Sequence, residues 1–471
     1  MTYFQNLNRL ILKELEIRAD DFAAAYDPDK PSIILIPGGM GSRLLQCHAA
    51  YDGPGFPDNP AFTEIWLSWP AILLGKIGAL ELDADEWDMD QKPIIASGEM
   101  NSIVKSYDGT EAYFIDSGFN YTEFGYDWRR DVRASAAYLK AFLTMVRQKA
   151  MAASGDGRNP LENLTLFAHS MGGLVVKLFL EGLVTENERS NRWFSRFVSV
   201  ASPFYGTETQ VYRYYRGEHM VNLIMGSAAK VAKMVATLPG PYGLLPCPMT
   251  ILNPLLDDLN LNRYPVRDAG HSQTPVDPFS DEGLDRFPAT MDRTYMNRAL
   301  EMFTHVGKPL PPDYYDKIFH IRNTIRDSDQ TLEWHWQSID TGTFQPGDPS
   351  PIWSNQGASD GTVPFWSARL VGTPETHVHD LAIGTDHGTL AEDHRVLVLV
   401  KQIARESAGL PPLPDASTRD AGAEPLSVPG DAAELSALVG DIAGGLVDDN
   451  HIDALSPSMR RAVVNGLSIC G

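Results

Sequence analysis

The stretch Asn163-Leu164-Thr165-Leu166-Phe167-Ala168-His169-Ser170-Met171-Gly172-Gly173-Leu174-Val175-Val176 constrains the fold more than any other part of the chain. An apolar run of strand character ends at Ala168, and a helical pattern leaves from Gly172. So tight a strand-to-helix turn pushes Ser170 out of the sheet with its hydroxyl exposed, and the new helix's N-terminus directs partial positive charge at it. Small residues are needed two before and two after the serine, because the neighbours of such a turn pack closely. They are Ala168 and Gly172, so the pattern reads A-x-S-x-G. The bland alternative is a serine that caps an ordinary helix start.

Other apolar runs at 32–36, 197–201, 318–321 and 377–383 alternate with helical patterns at 132–147, 172–183 and 390–403. This alternation predicts an α/β domain over 31–404, with a mostly parallel sheet covered by helices on both faces. Phe4, Leu7, Ile11 and Leu15 predict an amphipathic N-terminal helix within 1–30, ending before Asp27-Pro28. The alternation fails at about 46–108 and 205–310, which are expected to be cap or lid insertions. In the second, Val221, Ile224, Met225, Ala228, Val231, Met234, Val235 and Leu238 share a helical face. That face suits a buried cap helix or a mobile apolar lid. A Pro/Ala-rich linker follows at 405–430, and 431–471 reads as a short acidic helical segment, available to a protein partner or to self-association.

A serine nucleophile needs a base and a group that orients the base, in the chain order serine, acid, histidine for a strand-turn-helix serine of this kind. Ser359-Asp360-Gly361-Thr362-Val363-Pro364 sets an acid at a sharp turn after the 318–321 strand, and Gly384-Thr385-Asp386-His387-Gly388 follows the last strand. Asp360 is therefore the expected acid and His387 the expected base. Asp386 competes with the former, and His377, His379 and His394 with the latter. Pro37-Gly38-Gly39-Met40-Gly41 directly after the first strand suggests the amides of Gly39 and Met171 as an oxyanion hole. Read alone, the glycine turn could cradle phosphate, but it lacks the Lys-Ser/Thr of a P-loop. His377-x-His379 as a metal pair is a weak reading, and Asp83, Asp85, Asp88 and Asp90 suit a solvated acidic loop better than a calcium loop, so neither a metal nor an organic cofactor is expected.

These residues together resemble the lecithin:cholesterol acyltransferase family of α/β-hydrolases, which also includes phospholipid:diacylglycerol acyltransferases and lysosomal phospholipases. The resemblance runs from about Pro31 to Ile403. Ile36-Pro37-Gly38-Gly39-Met40-Gly41-Ser42-Arg43-Leu44 resembles the family's oxyanion motif and Glu64-Ile65-Trp66-Leu67 its cap tryptophan segment. Tyr126-Asp127-Trp128-Arg129 resembles its Y-D-W-R loop, Val200-Ala201-Ser202-Pro203-Phe204-Tyr205-Gly206-Thr207 its A-P-x-x-G turn, and Ser359 to Pro364 its acid loop. The resemblance implies an α/β-hydrolase fold with cap insertions and a lipase, phospholipase or acyltransferase activity on lipid-like acyl esters.

The expected reaction is ester hydrolysis through Ser170, His387 and Asp360, with transfer to a lipid or alcohol acceptor as the alternative. Trp66, Trp69, Met225 and Met234 are candidates for the acyl pocket. A hydrolase fold serving as an interaction module through 431–471 is the reading from another class. The balance of 39 basic against 61 acidic residues, net −22, excludes a nucleic-acid footprint. Membrane or micelle contact would then be apolar and transient, through the lid. Cys47, Cys247 and Cys470 are far apart and fit no metal spacing, as expected of free thiols. No signal peptide or membrane-spanning stretch is read from the sequence, so the expected address is cytoplasmic.

Overall fold

A computed structural model of the chain describes residues 2–410 apart from 52–54, 67–75, 99–106, 156, 217–227, 262–263, 269–273, 288–289, 325–333, 337–351 and 354–358. Trp69, Met225, most of the linker and the segment 431–471 lie outside the described residues.

The central sheet has six strands: β1 (Ser32–Ile36), β2 (Asn120–Glu123), β3 (Leu164–His169), β4 (Arg196–Val200), β5 (Ile318–Asn323) and β6 (Val378–Leu381). Their spatial order is β6-β5-β4-β3-β1-β2, and each neighbouring pair is parallel. Alternation along a strand sends successive side chains to opposite faces. Ile34, Ile36, Leu164, Leu166 and Ala168 accordingly join one core with the helices Val132–Ser154 and Met171–Thr185. Ile33, Leu35, Phe167, Val198 and Ile321 join a second core with Asp108–Asp116 and His394–Ser407. At β1, β3 and β4 both faces are covered, which is why these strands read as largely apolar runs, while the edge strands β2 and β6 are polar and partly exposed.

The N-terminal helix spans Tyr3–Ala25 and opens with a Thr2/Gln5 capping box. It buries Tyr3, Leu7, Leu10, Leu15 and Phe22, whereas Phe4, expected on the buried face, is 46% exposed. The helix packs along Val132–Ser154. The first insertion forms an antiparallel sheet of Phe62–Trp66, Arg43–Cys47 and Ile94–Ser97, beginning slightly before residue 46. The second contains the helices Glu208–Arg216, Ala228–Ala236 and Arg293–Val306. Its strand Val266–Asp268 pairs with Trp334–Trp336 from beyond β5. A stretch beyond β5 thus adds to the two insertions, which a reading that ended the second at 310 does not anticipate.

In the acidic loop at 83–90, Asp83, Asp85 and Asp90 are exposed and Asp88 is turned inward. Asp88 is 1% exposed and accepts from Arg129 Nη2 at 2.8 Å, Arg130 Nη2 at 3.0 Å, the Ile94 amide at 2.8 Å and the Tyr3 hydroxyl. Arg129, fully buried, also reaches Asp127 through Nε at 2.9 Å and Nη2 at 2.6 Å. This cluster ties the N-terminal helix and the first insertion to the loop before Val132–Ser154. It replaces the calcium-loop alternative for Asp88. Among the described residues, no group of three or more His, Cys, Asp or Glu side chains is placed to hold a metal. Likewise, no helix among them is long and apolar enough to cross a membrane.

Burial pushes the Asp88 carboxyl up, but Arg130 and then Arg129 outweigh it and hold the group below the ordinary carboxylate range. Its stabilising contribution is therefore complete above the unfolded-state pKa and is lost as pH falls through the depressed folded value. Asp88→Asn should cost about 3 kcal/mol in denaturant unfolding at neutral pH, because it leaves buried arginine charge without its partner. The gap from the unsubstituted protein should narrow on acidification; a gap that is constant from neutral to acid pH would show that the charge contributes nothing.

Candidate active site

Ser170 stands between the end of β3 and the helix Met171–Thr185 with φ 51° and ψ −128°, a conformation L-residues rarely adopt. Close packing holds it there. A Cβ on Gly172 would lie 2.4 Å from the Ile36 carbonyl oxygen and 2.5 Å from that of Pro37, and one on Gly173 would meet Ser202 Oγ at 2.1 Å. The Ser170 amide donates to the Val200 carbonyl at 2.9 Å. The serine side chain makes no capping bond to its own helix, contrary to the bland alternative, and its Oγ lies 2.8 Å from His387 Nε2.

His387 follows β6 in the loop the spacing indicated, and its Nδ1 lies 2.6 Å from Asp360 Oδ2. Asp360 is 1% exposed. Its other oxygen accepts from the amides of Thr362 at 3.0 Å and Val363 at 2.8 Å, so the turn through Gly361, at φ 96°, wraps the carboxylate. Thr207 and Thr209, in and just after the A-S-P-F-Y-G-T stretch, donate their hydroxyls to the Thr362 carbonyl at 2.5 and 3.0 Å. The structure brings Ser170, His387 and Asp360 together. The rivals lie elsewhere: Asp386 caps the turn at 387–392, His377 and His379 stack on Phe319, and His394 packs edge-on against Tyr113.

The glycine turn after β1 is pinned at several points. Tyr126 donates its hydroxyl to the Pro37 carbonyl at 3.0 Å, and the Tyr126 amide donates to Ser42 Oγ at 3.1 Å. Gly38 N–H donates to Tyr107 Oη at 3.0 Å. Trp66 Nε1 donates to the Met40 carbonyl at 2.8 Å while its ring packs 5.2 Å from that of Trp128. The Gly39 amide has no acceptor among the described residues. Met171 opens its helix, so its N–H has no intrahelical acceptor. Gly39 sits against Met171, whose Sδ would lie 3.3 Å from a Cβ on the glycine.

Two side chains proposed for the acyl pocket are placed differently. Trp66, 5% exposed, braces the glycine turn. Met234, 3% exposed, joins Val231, Val235 and Leu238 in the main core. In the described part of that face, Val231, Met234 and Val235 are covered by the molecule's own core, as in a packed cap helix, while Val221 and Ile224 lie outside the described residues with Met225.

Three contributors were missed. Asn323, at the end of β5, clamps the base loop: Nδ2 donates to the carbonyls of Ile383 at 3.1 Å and Thr385 at 2.7 Å, and Oδ1 accepts from the Ile383 amide at 3.1 Å. A polar residue ending an apolar strand was the available signal. Tyr107 and His169 are the others; His169 lay inside the elbow motif, but nothing near Tyr107 marked it.

The six parallel strands, the strained serine between strand and helix, and the cap insertions define an α/β-hydrolase fold. Residues 114–308 match the family described as lecithin:cholesterol acyltransferase, in agreement with the resemblance carried by the motifs. In solved structures, the fold is similar to a chain in the Tle4–Tli4 complex, with a TM-score of 0.52 and 14% identity over 80% of this chain and 98% of that one. Bacillus licheniformis lipase BlEst2 in mature form aligns at a TM-score of 0.32 and 12% identity, over 80% of this chain and 93% of the lipase. No curated protein sequence matches the chain.

The packing at Ser170 predicts opposite outcomes for two glycines of one helix. Gly172→Ala should sharply lower soluble yield or melting temperature, because backbone carbonyls block the added carbon. Gly182→Ala, with nothing within 4 Å, should be neutral or stabilise by up to about 1 kcal/mol. Equal behaviour of the two would contradict the close approach. Met234→Glu should lower the melting temperature and depress activity on soluble short-chain and aggregated long-chain esters alike. Selective loss on aggregates would restore a lid role.

Proposed function

We propose that the protein is a serine ester hydrolase acting on lipid-like acyl esters. The observation that carries this reading is the continuous file Ser170 Oγ, His387 Nε2, His387 Nδ1 and Asp360 Oδ2, with separations of 2.8 Å and 2.6 Å, at a serine held in a strained turn. Ser170 Oγ attacks the acyl carbon while His387 Nε2 takes its proton. Asp360 accepts from Nδ1–H and favours the tautomer in which Nε2 is bare. The carbonyl oxygen gains negative charge, for which the amides of Gly39 and Met171 are the donors. Collapse expels the alcohol, protonated by His387, and leaves an acyl-enzyme. Water, activated by the same histidine, then releases the acid. A lipid or alcohol that reaches the acyl-enzyme before water gives transfer instead, and the acyltransferase family match favours keeping that outcome beside hydrolysis. A lipid-like substrate is in keeping with the same match and with the large cap.

The test begins with a fluorophosphonate probe, which should label the protein at Ser170 and leave Ser170→Ala unlabelled. Ser170→Ala, His387→Ala and Asp360→Asn should each lower turnover on an activated ester by about 1,000-fold or more, with little further loss in combination. Near-normal turnover in Asp360→Asn would remove it from the assignment. Product analysis on phospholipid, triacylglycerol and short-chain esters, with and without an alcohol, then separates hydrolysis from transfer.

A further inference from the structure

Beside the three residues just described, a second file of hydrogen bonds joins the glycine turn, the serine turn and the loop of the base. Gly38 N–H donates to Tyr107 Oη at 3.0 Å, Tyr107 Oη lies 2.6 Å from His169 Nδ1, and His169 Nε2 lies 3.0 Å from the carbonyl oxygen of His387. A carbonyl only accepts, so Nε2 carries the proton and donates. In a neutral ring Nδ1 is then bare and accepts the Tyr107 O–H, which leaves the phenol oxygen to accept from Gly38. The file therefore has one direction, with each donor matched to an acceptor.

Neutrality of the ring follows from its place. His169 and Tyr107 are each 3% exposed. Burial, and then the His387 ring at a centroid separation of 4.9 Å, hold the His169 imidazole well below its ordinary value. Burial likewise raises the Tyr107 phenol, which stays protonated.

We infer that Tyr107 and His169 are positioning residues for the reaction at Ser170, forming a strut that fixes the backbone of the base against the glycine turn. The inference rests on the hydrolase reading above. The His387 peptide is gripped at both ends: its N–H donates to the Asp360 carbonyl at 3.1 Å, and its carbonyl accepts from His169. One grip comes from the acid and the other from the residue preceding the nucleophile. At its far end the strut holds Gly38, the neighbour of the proposed donor Gly39. It thereby sets the distance between the atom that takes the proton and the amide that meets the developing negative charge. Because its ring is neutral, His169 adds no second positive charge beside His387 when the base becomes an imidazolium; a charged partner there would oppose proton uptake.

Tyr107→Phe removes one hydroxyl and keeps the buried ring; His169→Gln removes the imidazole that links both ends. Each should lower kcat on an activated ester, and the fluorophosphonate labelling rate, by about 10- to 100-fold with KM unchanged. The double variant should be no slower than the slower single, since either change severs the same strut. Trp66→Phe cuts the separate bond to Met40, so its loss should multiply with that of Tyr107→Phe. An unchanged kcat in Tyr107→Phe, or a Tyr107→Phe/His169→Gln loss equal to the product of the singles and tracking the melting temperature, would overturn the strut. Should His169→Gln not fold, the kcat and KM of Tyr107→Phe decide alone. Absence of Ser170 labelling in the unsubstituted protein would remove the hydrolase reading and the strut with it. Normal labelling with unaltered rates in Tyr107→Phe removes the strut only.

Discussion

The main-chain strain at Ser170 is the constraint around which the rest of the molecule is arranged. A residue with a side chain at φ 51° and ψ −128° stays in place only where its surroundings leave no relaxed alternative. Here the alternatives are closed by two glycines, one seated on the carbonyls of Ile36 and Pro37 and the other on Ser202. Those contacts exist because β3 runs between β1 and β4 in the middle of the parallel sheet, so the chain leaving it passes between the ends of both neighbours. The strain is therefore sustained by the burial of the whole sheet.

Around this fixed point, most polar bonds act on loops and few act on the reacting atoms. Asn323 holds the loop of the base, Thr207 and Thr209 hold the loop of the acid, and Tyr126, Trp66 and Tyr107 hold the glycine turn. The loops themselves are short in regular structure and would wander without such anchors. The cap insertions contribute to this frame directly, since Trp66 belongs to the first of them. The first insertion thereby tightens the floor on which it stands.

How much of this could be read in advance follows from the range of the interactions. The inner strands were legible because both faces of the sheet are buried there, so Ile33 to Ile36 is apolar without interruption and Leu164 to Ala168 is broken by Thr165 alone, whereas the polar edge strand Asn120–Glu123 gave no such run. The nearness of Ser170, Asp360 and His387 was legible because each follows a strand end, and the carboxyl ends of parallel strands gather at one edge. The roles of Trp66, Met234 and Asp88 were not. A tryptophan bracing a carbonyl and one lining a pocket have the same local pattern, and a helical apolar stripe has the same spacing whether its cover is core or substrate. Asp88 looked like part of a solvated acidic loop because its counter-charges, Arg129 and Arg130, come some forty residues later. Tyr107 had no local signal, since its partners, Gly38 and His169, are both more than sixty residues away.

The buried charge cluster also bears on how the chain is made. Tyr3 bonds to a carboxylate 85 residues further on, and that carboxylate is neutralised by an arginine another 41 residues along. A ribosome adds residues one at a time, so the first helix emerges long before the groups that complete its buried face. Until Arg129 is out of the exit tunnel, Asp88 has no counter-ion and is better solvated by water than by protein. The first helix and insertion therefore have an electrostatic reason to stay open during early synthesis, and a reason to close once the Y-D-W-R loop arrives. Order of assembly at this end of the molecule is in that sense written in the positions of its charges.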